Sequence, residues 1–287
     1  MSTTTAVSAS PIGALVSGKP LRFVVGLILL VNGLFPALWI LFTSLKLEPE
    51  LTQKPITWLP ANPTLQNYAQ AFSDQPLHLF LFNSFAVALL STMLTLLVSV
   101  LAAYALARLN LKYRGLILSL IIAVSTFPLV TLLVPLFEIM RALGLLNSWT
   151  ALVLPYTVMS LPICTLMLVS FFEGIPRDLE NAAMIDGCTR MGALFKVVVP
   201  LAAPGVFTAG ILAFVNAWDE FLLALSFNSS PALRTLPVGI QLYQGEFSFP
   251  WPLISAALVV GIVPVAILIV IFQERVVSGL TSGGIKG

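Results

Sequence analysis

Histidine occurs once in this 287-residue chain, cysteine twice, and charged residues make up only 9% of it. Each scarcity excludes something. His78 has no cysteine or carboxylate at ligand spacing, which argues against a metal site. A single histidine also leaves no Ser-His-Asp or Cys-His set for nucleophilic catalysis. Cys164 falls in an apolar run and Cys188 in a polar one, so the two are expected to stay reduced and unpaired. The chain has no G-x-x-x-x-G-K-[ST] phosphate loop, because Gly18-Lys19-Pro20 lacks both the glycine spacing and the hydroxyl residue. ATP would therefore have to be handled by another subunit. Soluble domains carry about 25% charged residues, whereas this chain is 58% hydrophobic with a mean hydropathy of +1.00. That composition defines a polytopic membrane protein.

What is present is a series of long apolar stretches. Residues 1–20 are rich in Ser, Thr and Ala and are expected to form a disordered tail. Residues 21–272 then read as one membrane domain with six spans. These run from Phe23 to Phe42, Leu79 to Ala107, Leu116 to Phe137, Leu145 to Phe172, Val206 to Leu225 and Trp251 to Phe272. The first exceeds a usual signal-peptide core and no A-x-A site follows it, so it is read as an uncleaved span. Pro128 and Pro135 fall in the third span, Pro155 and Pro162 in the fourth, and Pro204-Gly205 bends the start of the fifth. Residues 273–287 form a tail. Polar connections occupy Lys46 to His78 and Ser226 to Phe249.

Six spans put both termini on one side, and basic residues choose which. With cytoplasmic termini, Lys19, Arg22, Arg108, Lys112, Arg114, Arg177, Arg190, Lys196, Arg275 and Lys286 lie inside. Only Lys46, Lys54, Arg141 and Arg234 lie outside. The polar stretch 175–200 is then cytoplasmic.

That stretch is a helix-forming island. Pro176 suits a first helical position, and Asp178 and Glu180 place negative charge at the positive end of the helix. Leu179, Ala182, Ala183 and Asp186 share a face that can be approached closely. Gly187 is a natural C-terminal stop, and Thr189 can cap a second helix with Met191, Leu194, Phe195 and Val198 on one side. Pro200 is expected to end it. Two short helices at a bend between apolar segments have the form of a docking knob.

Glu180, Asn181, Ala182, Ala183, Asp186, Gly187, Phe195, Val199 and Pro200 together resemble the EAA loop of the membrane subunits of ABC importers, in the form typical of carbohydrate-uptake permeases. Asn181 departs from the pattern, replacing its second acid with an amide. Asn83-Ser84, the run Ala102 to Arg108, Trp218-Asp219-Glu220-Phe221 and Leu236-Pro237-Val238-Gly239 also resemble that family, with Asp219 standing where Asn is usual. The resemblance spans about residues 20 to 287. It implies an all-α permease subunit of a type I importer in a bacterial-type inner membrane, moving a sugar-like solute by alternating access. The implied ATPase-coupling residues are Glu180, Asn181, Ala182, Ala183, Asp186, Gly187, Phe195 and Pro200. The implied partners are a second permease subunit, two ATP-binding subunits that hold ATP and magnesium, and an extracytoplasmic solute-binding protein. No cofactor is expected in this chain, and no nucleic acid.

Apart from Asp219 and Glu220, these spans carry no Asp, Glu, Lys, Arg or His. Carriers driven by protons or sodium often place an ionisable residue mid-membrane, so a partner-driven path is favoured over a self-sufficient carrier or channel, or a scaffold. Trp218, Asp219 and Glu220 admit two readings. They line the translocation path, with Trp218 stacking on a sugar ring, or they are an interfacial tryptophan and two acids that keep a helix end in water.

Overall fold

The computed structural model describes residues 19–245 and 248–284. Among them all regular structure is helical, as expected for a chain whose backbone must satisfy its own hydrogen bonds in lipid. Four helices are long and apolar enough to cross a bilayer: Leu21–Ser44, Leu77–Arg108, Thr150–Gly174 and Trp251–Gln273. Two bent pairs meet the same test jointly, Arg114–Ser125 with Leu129–Ala142 at 95° and Arg190–Leu201 with Ala203–Trp218 at 82°. Counting each pair as one crossing gives up to six spans, with Ala203–Trp218 the apolar arm of the second pair.

Several boundaries differ from the sequence expectation. The third span is broken: its helix stops before Pro128, because a proline pushes the preceding residue, Phe127, out of helical geometry, and a second helix starts at Leu129. The fifth helix ends at Trp218 and a short helix, Leu222–Phe227, follows. His78 sits in the first turn of its helix, not in the preceding connection. The last helix continues from Trp251 to Gly284, well past Phe272. Of the expected N-terminal tail, residues 1–18 lie outside the described residues, while Lys19 and Pro20 already belong to the first helix.

The chain divides into two compact units. The first contains the described residues up to Gln70, with Pro250–Val259. Its long helix exposes apolar side chains all round, Phe23 and Leu29 among them, the pattern of a helix solvated by lipid. Past Ser44 the chain is tied down by polar contacts. Asn67 Nδ2 donates to the carbonyls of Ser44 and Lys46, each at 2.8 Å. Glu50 Oε1 accepts from the Ala61 N–H and the Thr57 hydroxyl, both at 2.9 Å.

The second unit holds Ala71–Phe249 and the chain from Val260 onward. Its core lies where Leu77–Arg108, Thr150–Gly174 and Ala203–Trp218 pack together, around Ala103, Tyr104, Leu168, Phe172, Ala209 and Ala213. Small residues let the backbones approach. At Gly205 a Cβ would come within 2.4 Å of the Phe171 ring, so only glycine fits there. At the other end of the Leu77–Arg108 helix, Asn83 donates to the carbonyls of Ala232 and Arg234 and accepts from the Trp149 indole at 3.1 Å. Ser84 Oγ accepts from the Leu236 N–H. These bonds hold the connection after Leu222–Phe227 in place.

Candidate functional site

The polar island folds as expected into two short helices, Arg177–Ile185 and Arg190–Leu201. Pro176 stands one position earlier than anticipated. It is the residue before the first helical one, with φ −56° and ψ 130°. The first helix closes with the Gly187 N–H on the Met184 carbonyl and the Cys188 N–H on the Ala183 carbonyl, at 3.1 and 2.9 Å. This paired closure needs a left-handed residue just past the helix, and Gly187 supplies it with φ +93°. Thr189 then caps the second helix, its Oγ1 accepting from the Gly192 N–H at 3.1 Å.

The second helix departs from the expected pattern. Residues 194–198 form a π-helical turn, in which the Val199 N–H reaches the Leu194 carbonyl. One inserted residue rotates the following face by about 100°. Leu194 and Val198 are buried, while Met191 and Phe195 are about half exposed. Pro200 does not end the helix either. It lies inside it, because the widened turn relieves the clash between a proline ring and the carbonyl four residues back. The break comes at Ala202.

Glu180 is the site's main surprise. It does not simply offset the helix dipole; it points inward and is only 6% exposed. Its Oε2 lies 3.0 Å from Arg108 Nε, an ion-pair contact in which the N–H is not aligned for a hydrogen bond. The Tyr104 hydroxyl donates to its Oε1. Two further bonds cross reciprocally: Arg108 Nη2 donates to the Ile175 carbonyl at 2.9 Å, and Arg177 Nη2 donates to the Ala107 carbonyl at 3.3 Å. A buried charge persists only when paired and hydrogen-bonded, and here the pairing fastens the two-helix element to the end of Leu77–Arg108. Neither Tyr104 nor Arg108 was legible as a partner of Glu180, although their four-residue spacing places them on one helix face.

The opposite face is free. Asn181, Ala182 and Asp186 are exposed and Ala183 is half-buried. Leu179, Ile185, Met191, Phe195 and Leu201 add apolar surface, with Ile185 86% exposed.

Trp218, Asp219 and Glu220 sit at the far end of Ala203–Trp218, whose 16 residues span about 24 Å. They are not brought together with the two-helix element. Trp218 is buried and stacked on Phe214, with ring centroids 5.8 Å apart. Glu220 accepts from the Tyr156 hydroxyl at 2.5 Å and from the N–H groups of Leu223 and Ala224 at 2.8 and 3.1 Å, so it starts the next helix. Asp219 is exposed. Both cysteines are free thiols, and no cluster of three potential metal ligands occurs among the described residues.

Comparison with known proteins agrees with this architecture. The chain is 86% identical over 282 residues to the sulfoquinovosyl glycerol transport system permease protein of Agrobacterium fabrum, covering 98% of this chain and 99% of that one. It is 41% identical over 256 residues to the trehalose transport system permease protein of Mycobacterium tuberculosis, covering 88% and 93%. It is 38% identical over 273 residues to the trehalose/maltose transport system permease protein of Thermococcus litoralis, covering 94% and 98%. Its fold is similar to that of a bacterial ABC transporter involved in the import of the acidic polysaccharide alginate, with a TM-score of 0.78, 21% identity, and 95% and 99% of the two chains covered. Residues 95–281, which include the whole two-helix element, match the model of one family, and the chain accordingly belongs to the binding-protein-dependent transport system inner membrane components.

Proposed function

We propose that this chain is the permease subunit of an ATP-driven importer whose solute is sulfoquinovosyl glycerol or a closely related glycoside. The relative that is 86% identical over nearly its whole length is named for that solute, and the trehalose and maltose permeases support the wider class of sugars. The observation that carries the mechanism is the two-headed character of Arg177–Leu201. Its outer face, with Ala182, Ala183 and Ile185, is open to a partner, while Glu180 and Arg177 fasten its inner face to the Leu77–Arg108 helix.

On this reading two ATP-binding subunits hold ATP and magnesium and dock on the outer face, through Asn181, Ala182, Ala183, Asp186, Gly187 and Phe195. Their closure moves the element as a rigid lever. Leu77–Arg108 moves with it, and so do the helices packed against that span. Pro200 and the π turn set the angle at which the lever meets Ala203–Trp218. A second permease subunit completes the path, and an extracytoplasmic binding protein delivers the solute. The termini and the lever lie in the cytoplasm, in line with the distribution of basic residues. Asp219 is the remaining candidate for a path residue, since Trp218 is buried and Glu220 is occupied at a helix start.

Reconstitution tests the proposal. The purified chain alone should hydrolyse no ATP above background. The complex with its permease partner, ATPase and binding protein should hydrolyse ATP faster when solute-loaded binding protein is added, and should accumulate labelled sulfoquinovosyl glycerol in proteoliposomes. Uptake by this chain alone under an ion gradient would overturn the ATP-driven mechanism. ATP-driven uptake of trehalose but not of sulfoquinovosyl glycerol would overturn the solute assignment.

A further inference from the structure

A cavity of about 670 Å³ opens where the Leu77–Arg108 helix ends, between the connection that follows it and the start of Arg177–Ile185. Arg108, Lys112, Arg114 and Arg177 line it, with Glu173 the one carboxylate in its wall. Two of these cations are already compensated: Arg114 pairs with Glu173, and Arg108 with Glu180. Among the described residues, Lys112 and Arg177 lie within ion-pair distance of no carboxylate. The Arg114–Ser125 helix also begins at this cavity, without a side-chain cap or an acid in its first turn, so its positive end adds to the same field. The charge in the wall is thus left for an anion that the chain does not supply.

The rim indicates which anion. Lys112 Nζ sits 5.4 Å from the centroid of the Tyr113 ring, and Tyr113, Leu116 and Leu120 are exposed. No residue of the Arg114–Ser125 helix is buried. An apolar strip therefore runs from the mouth of the cavity along the first arm of a bent, apolar helix pair. A free phosphate would satisfy the cations and leave this strip unused. A phosphodiester carrying acyl chains would use both, with the headgroup on the cations and the chains along Leu116 and Leu120. Basic pockets between membrane helices at the bilayer surface have this chemistry.

We infer that this cavity is a headgroup site for an anionic phospholipid, held by Lys112 and Arg177 and buttressed by the Arg114–Glu173 pair. The site bridges the connection at 109–113 and the entry to Arg177–Ile185, so an occupied headgroup links the lipid to the coupling lever. The inference does not depend on which solute is carried.

The test uses the assembled complex in nanodiscs containing phosphatidylglycerol, phosphatidylcholine or equal parts of both, with retained lipid counted by native mass spectrometry. Wild-type complex should retain phosphatidylglycerol in preference to phosphatidylcholine. Each of Lys112→Gln and Arg177→Gln should cut that retention about fivefold, and Lys112→Arg should preserve it. Where Arg177→Gln does not assemble, Lys112→Glu alone carries the test, since this exposed side chain leaves the core untouched. Equal retention by wild type and Lys112→Glu would overturn the site. Displacement of bound lipid by millimolar inorganic phosphate, with no preference between the two lipids, would overturn the lipid assignment and leave a free-anion site. A preference seen in the isolated chain but lost in the assembled complex would mean that a protein partner covers the cavity, and would overturn the inference as well.

Discussion

Arg108 and Glu180 face each other across a 3.0 Å gap with side chains only 5% and 8% exposed, one at the end of a membrane span and the other in the lever. Removing one member of such a buried pair costs about 3–5 kcal/mol, because the other charge is left uncompensated. Glu180→Ala should therefore reduce recovery of the assembled complex at least several-fold. Combining Glu180→Leu with Arg108→Met should cost less than the sum of the single changes. Glu180→Gln keeps the Tyr104 bond but loses the charge, so it should assemble better than Glu180→Ala while hydrolysing ATP with poor uptake. Complex recovery, ATPase rate and uptake measured on the same preparations separate fastening from docking. Strict additivity of the single changes would show that the two residues act independently.

Gly187 tests the turn between the lever's helices. Its φ of +93° is unfavourable for any residue with a Cβ, yet a Cβ there would meet no atom within 4 Å. The penalty is thus backbone strain alone, about 1–2 kcal/mol. Gly187→Val should lower uptake more than Gly187→Ala, and Gly187→Asn should be the mildest of the three because Asn tolerates left-handed backbone. Membrane insertion, which the apolar spans determine, should be unchanged in all of them. Wild-type uptake by Gly187→Val at normal expression would reduce the turn to a passive connection.

The spans and the two short helices were legible because their signals are local: apolar runs long enough for a bilayer, a terminal glycine, a capping threonine. What escaped was not local. Glu180 reads as a dipole-compensating surface acid until Tyr104, 76 residues earlier, is folded against it. Met191, Leu194, Phe195 and Val198 read as one face, yet only Leu194 and Val198 are buried. The π turn at residues 194–198 escaped as well, because Pro200 alone does not announce it. The break before Pro128 was within reach, since the residue preceding a proline resists helical geometry. Membrane helices tolerate proline often enough that Pro128 and Pro155 look alike in sequence, yet only the first breaks its helix.

Glu50 gives a pH-dependent prediction outside the membrane spans. The Ala61 N–H on its carboxylate holds its pKa below the usual 4.5, and the Thr57 hydroxyl and the Lys46 charge act in the same direction. Because folding favours the ionised form, this stabilisation is fully present above the unfolded pKa. It is lost as pH falls through the folded value. The melting temperature should therefore drop between pH 6 and pH 3, and the drop should be smaller in Glu50→Gln, which titrates no proton there. An identical pH dependence in the two proteins would show that the loop is not held by this charge.

The proposed orientation rests on ten basic residues assigned to one side and four to the other. Gln53, Ser229 and Lys112 are all exposed, so each can report its compartment as a single cysteine in a Cys-free background. Cys164, a buried core residue, should be replaced by alanine, and Cys188 by serine. A membrane-impermeant thiol reagent added to intact cells should label the cysteines at positions 53 and 229 and leave the one at 112 unreacted. Opening the membrane should then expose position 112 to the same reagent, which excludes simple burial as the reason for its silence. The reverse pattern, with only 112 labelled from outside, would place the lever and the basic cavity outside the cytoplasm. No nucleotide-driven subunit could then reach Ala182 and Ala183, and the lever mechanism would fall with the orientation.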